Sequence, residues 1–206
     1  MIECLVIVLA SYCVLMGGWF WLNRKSGLTR RTIDEVGPFL RDANREVLLA
    51  SLDSDQDDFL QSKARIGNYR RDQRVRLAHL RDCLAFMIRN ALILFDWADT
   101  ERYERQQHRI KHDPDQMIKI RNVMRTTSTF LRVARIAYGI IWVLGLLRFE
   151  EVDLMPLPRL SRFRRLLGVD LLAAYIDAAR AGEALALANR DTHETVAKIR
   201  TCMWLD

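Results

Sequence analysis

Leu77, Leu80, Leu84, Met87, Ala91, Leu94 and Ala98 recur at alternating intervals of three and four residues. On an α-helix that alternation lines them up as one seam, the pattern of a helix packed lengthwise on another. A second series keeps the same alternation through Met117, Ile120, Met124, Thr127, Leu131, Ala134, Tyr138, Ile141 and Gly145. Between the two stands HDPDQ (112–116), where Asp113 suits an N-cap, Pro114 the first helical position and Gln116 the return bond of a capping box. Folding the chain back at Asp113 sets 98 opposite 128 and 77 opposite 149, so the apolar stretch 77–98 meets the apolar stretch 128–149. A long antiparallel helical hairpin over 72–149 is the expected result.

The rest of the chain also reads as helical. Only four prolines and nine glycines interrupt 206 residues, which favours long helices and an all-α fold. Ile88, Leu92 and Phe95 widen the first stripe beyond a two-helix seam, and IAYGIIWVLGLL (136–147) is apolar all round, so other elements must cover them. That run spans ~18 Å of helix against a hydrocarbon layer of ~30 Å, which points to a bundle core, with a membrane-surface helix as the alternative. The expected cover is the C-terminal part, 150–206. There VDLLAAYIDAARAGEALALAN (169–189) supplies eight alanines and Gly182 for close helix contact. A last helix is signalled by Asp191 and Glu194 and continues through Val196, Ile199 and Met203. MPLPRLSRFRR (155–165) reads as a linker leading to a basic turn. Upstream, 26–71 reads as connecting helices, with TIDE (32–35) as a capping box and a helix resuming through Phe39, Leu40, Ala43, Val47 and Leu48.

Residues 4–22, CLVIVLASYCVLMGGWFWL, form a nineteen-residue run without a charge. Its length and its closing Trp19, Phe20 and Trp21 match a membrane-spanning helix with an aromatic interface belt, so 1–25 is expected to be a single transmembrane anchor. Cleavage is not expected, because Glu3 precedes the run and bulky aromatics occupy the place of a small-residue cleavage site. A lipoprotein site at Cys13 is disfavoured by Tyr12. Arg24, Lys25, Arg30 and Arg31 follow directly, which places the short N-terminal tail outside and the body in the cytoplasm. The same residues favour anionic lipid in the cytoplasmic leaflet and account for part of the net charge of +6 without nucleic acid. Gly17 and Gly18 suit close contact with a span of another protein.

Candidate chemistry is sparse. The four cysteines, at 4, 13, 83 and 202, show neither a disulfide framework nor a CxxC pair. DSDQDD (53–58) begins like a calcium loop but has Asp58 at the position of the obligatory glycine and Ala64 at that of the bidentate glutamate. Glu104, His108 and His112 recur at intervals of four and form a candidate metal set, yet Arg105, Arg109 and Lys111 surround them and repel a cation. No phosphate loop, nucleophile elbow, zinc helix or nucleic-acid motif occurs, so neither an enzyme, a cofactor nor a nucleic-acid partner is expected. Past Ala98 the first seam turns polar while Met117, Ile120 and Met124 continue the second. Those three residues are therefore a candidate partner contact at the hairpin tip, unless a slipped register lets Tyr103 and Ile110 cover them.

The expectation is thus an accessory or scaffold subunit of an integral membrane protein complex. The type, whether respiratory, photosynthetic, secretory or division machinery, is left open. The alternatives are a membrane-bound enzyme with a pocket inside the bundle and a self-associating coiled-coil adaptor, for which homo-oligomers are the mark.

Overall fold

A computed structural model describes residues 35, 37–46, 48, 66–107, 114–146, 171–189 and 193–205. The all-α expectation holds: four α-helices, α1 (Ile66–Gln107), α2 (Pro114–Leu146), α3 (Leu171–Asn189) and α4 (His193–Cys202), follow a 3-10 turn at Gly37–Phe39, and no strand occurs among the described residues. The apolar run 4–22 lies outside the described residues. Among the described helices none is long and apolar enough to cross a membrane.

No glycine or proline occurs between Asn68 and Gln107, so nothing in the sequence breaks α1. α1 and α2 pack along one another. Arg105 meets Gln116 at one end of the pair, and Tyr138 lies beside Arg81 and Asp82 towards the other, so the two helices run antiparallel. Arg105 thus meets Gln116, where folding back at Asp113 would set it opposite position 121, and this corrects the expected register by between one and two turns. Because both seams repeat every seven residues, a shift of nearly one heptad still sets apolar on apolar.

All seven seam residues of α1 are buried, from Leu77 to Ala98. On α2, Ile120, Leu131, Ala134 and Ile141 are buried, while Met117, Met124 and Tyr138 are partly buried against the same core. Thr127 is the polar member of that seam and is fully buried; its hydroxyl donates to the Val123 carbonyl of its own helix at 2.5 Å, which satisfies the donor without a partner helix. A second buried row on α2, Val123, Phe130 and Ala137, turns to α3, where Phe130 meets Tyr175 with ring centroids 5.1 Å apart. α3 answers with small residues: Ala178, Ala179, Ala181 and Ala186 are buried, and a Cβ on Gly182 would stand 3.0 Å from a methyl of Leu94. Within the stretch 136–147, Ala137 and Ile141 are buried but Ile136 is 48% exposed, so its described part is only one-sidedly covered.

The segment 37–48 departs from the expected helix. Leu40, Ala43 and Leu48 are buried, yet residues 40–44 are irregular and Asn44 has φ 45°. The reason is local hydrogen bonding that competes with the helix: the Asp42 carboxylate accepts the Asn44 N–H at 2.9 Å, and the Arg41 backbone is taken by a side chain of α1. Helical bonding restarts when Leu48 N–H donates to the Asn44 carbonyl. The chain end closes in a comparable way: α4 stops because Trp204 takes φ 64° and Leu205 N–H returns to the Arg200 carbonyl at 3.0 Å. That is a Schellman cap with tryptophan where glycine is usual.

Candidate functional site

Two polar knots cross the bundle, and both join elements far apart in sequence. The inner one centres on Asn90, which is fully buried on α1. Its Nδ2 donates to the Arg41 carbonyl at 2.7 Å and to the Tyr175 hydroxyl oxygen at 2.9 Å, while its Oδ1 accepts the Arg41 N–H at 3.1 Å. One side chain thus pins the irregular segment to α1 and α3. Tyr175, also fully buried, stacks obliquely on Phe130 and edge-on against Trp204, whose Nε1–H donates to Asp42 at 3.4 Å. Tertiary contact of this kind offsets the left-handed backbone of Trp204, a cost of about 1–2 kcal/mol. Above the knot the Arg41 guanidinium lies 5.7 Å from the Phe86 ring centroid.

Tyr175 and two cysteines of the bundle, Cys83 and Cys202, are moved away from reactivity. Burial pushes the Tyr175 phenol well above its ordinary value, against the smaller downward pull of the Asn90 hydrogen bond. Burial also raises the Cys83 thiol, helped by Asp82 and Asp42, and the Cys202 thiol, helped by Asp42 against Lys198. A nucleophilic cysteine needs the opposite, a thiolate favoured by nearby positive charge. The arrangement works as a clamp.

The outer knot lies at the hairpin tip. Glu101 accepts the Trp97 indole N–H at 3.3 Å and faces Arg105 at 3.6 Å. Arg105 in turn reaches Gln116 on α2 and donates to Asn189 on α3 at 3.0 Å, and Gln116 donates to the Ala188 carbonyl at 3.2 Å. Helix α3 therefore ends against the tip.

These contacts locate the residues singled out by sequence. Ile120 is 1% exposed, and Met117 and Met124 are packed against the chain's own core, so this face is turned inward. Tyr103 is 48% exposed, and Ile110 lies outside the described residues. Glu104 stands exposed on α1, while His108 and His112 lie outside the described residues, as do Gly17, Gly18, Trp19, Phe20, Trp21, Arg24, Lys25, Arg30 and Arg31. Among the described residues no group of three or more His, Cys, Asp or Glu side chains is placed to hold a metal ion. What apolar periodicity does not reveal is the outward face of α2. Its signal is nonetheless in the sequence: after Asp115 that helix holds Lys119, Arg121, Arg125, Arg132 and Arg135 and no acidic residue. No family model, curated protein or solved structure matches this chain.

Proposed function

We propose that this chain is a membrane-anchored accessory or scaffold subunit, its helical body standing on the cytoplasmic side and bracing a larger integral membrane protein complex. The observation that carries the reading is the uncharged run 4–22 with Arg24 and Lys25 immediately after it. Nineteen uncharged residues match the bilayer's thickness, and the basic flank directly after them sets the orientation. The described body lends support of a different kind. Its buried Asn90 clamps α1, α3 and the segment at Arg41 together, and burial favours the neutral forms of Cys83, Cys202 and Tyr175. Such a body suits a bracing role.

Mild-detergent extraction from native membranes, size separation and mass spectrometry of co-migrating chains test this. A stoichiometric second protein is the expected result. Migration of the chain alone contradicts the subunit role, and a complex containing only copies of this chain replaces it with a self-associating adaptor.

A further inference from the structure

Beyond Asp115 the exposed side of α2 carries arginines with no acid among them. Ile118, Arg121, Arg125, Thr129, Arg132 and Ile136 all face outward. At the pitch of an α-helix they fall within roughly 90° of arc and along ~27 Å. Arg121, Arg125 and Arg132 form no ion pair among the described residues. On the other helices several exposed bases are answered nearby, though Arg89 is not: Arg81 by Asp82 at 3.2 Å, Arg102 by Asp99 at 2.7 Å, Arg180 by Asp177 at 4.0 Å and Arg200 by Glu183 at 2.5 Å. A solvated helix face gains from such pairing, and on α2 beyond Asp115 it is missing for want of any acid.

We propose that this arc of α2 is the surface that the body lays on an anionic bilayer. Arg121, Arg125 and Arg132 meet anionic headgroups, and Ile118 and Ile136, 65% and 48% exposed, enter the acyl boundary at its two ends. Charge complementarity selects an anionic partner, and two features select lipid over nucleic acid. No aromatic side chain lies on the exposed arc to stack with bases. Two exposed isoleucines on the same arc gain nothing from phosphate but are buried by acyl chains. The choice of lipid also rests on the anchored reading, which holds the body beside a leaflet.

The test places a photoreactive benzophenone side chain at Ser128, on the exposed side of α2, in the full chain reconstituted into liposomes, and identifies adducts by mass spectrometry. With about 30% phosphatidylserine, phospholipid adducts are expected to exceed those in phosphatidylcholine alone by about tenfold, and to fall as far in an Arg121→Gln, Arg125→Gln, Arg132→Gln variant. Equal yields on the two lipids, equal yields from a probe at His79 on α1, or adducts passing to an added DNA duplex would each overturn the proposal. An unchanged melting temperature of the triple variant shows that any loss is not unfolding. If the run 4–22 is not in the bilayer, 1 M salt strips the chain from the liposomes altogether. Ser128 adducts at low salt still follow anionic lipid in that case, so the two readings fail separately.

Discussion

α1 and α2 share one inward grammar and have opposite outward chemistry. Both bury a seam spaced three and four apart, yet α1 turns outward a mixture in which Arg81 pairs with Asp82 and Arg102 with Asp99, whereas α2 beyond Asp115 turns outward arginines without an acid. The inward pattern suffices to make the hairpin, so the outward difference is free of any demand from the fold. Surface ion pairs contribute little to stability, and their omission costs correspondingly little. An acid-free face is therefore better read as a contact surface than as a folding device.

The comparison separates substitutions by which side of the hairpin they touch. The largest effect is expected on the inside: Asn90→Ala leaves both backbone groups of Arg41 and the Tyr175 hydroxyl without their partner and lowers stability by about 3 kcal/mol, read from denaturant unfolding. Next comes Gly182→Val, which forces a branched side chain against Leu94 where even a Cβ would stand at 3.0 Å; a loss of about 2 kcal/mol is expected in the same assay.

Alkaline pH probes the inside by charge. The folded chain holds the Cys83, Cys202 and Tyr175 protons more tightly than the unfolded chain does. Their stabilisation is thus complete below the ordinary thiol value of 9.0 and is lost as pH rises past 9.0 and then 10.0. A melting temperature that declines above pH 9, with the upper part of the decline reduced by Tyr175→Phe and the remainder shared with Tyr138, whose phenol burial also raises, is the expected outcome; a flat profile to pH 11 would contradict the burial of these groups. The smallest effect belongs to the outside. Arg125→Gln should change stability by less than about 0.5 kcal/mol, and a loss comparable to that of Asn90→Ala would erase the distinction between the two faces.

The seam residues were legible because burial between helices imposes a period that composition cannot hide. The register was less so: HDPDQ marks where α2 starts but does not fix which residue of α1 faces Gln116. Asn90 was not legible at all. Its partners lie 49 and 85 positions away, and within a run of apolar residues a single asparagine carries no sign that three hydrogen bonds await it. The segment 37–48 misled for a related reason. Its apolar spacing fits a helix, but Asp42 and Asn44 supply side-chain bonds that favour a turn, and Asn90 then takes the Arg41 backbone. Trp204 at a left-handed position follows the same logic, since contacts with Tyr175 and Asp42 override a local preference for glycine.

Retention of residues 4–22 in lipid is the condition for the scaffold reading, and alkaline carbonate washing of native membranes tests it most directly. The chain is expected in the pellet, with peptides from 4–22 recovered from the retained protein. Full release into the supernatant, or a retained protein that begins downstream of Trp21, would contradict the account.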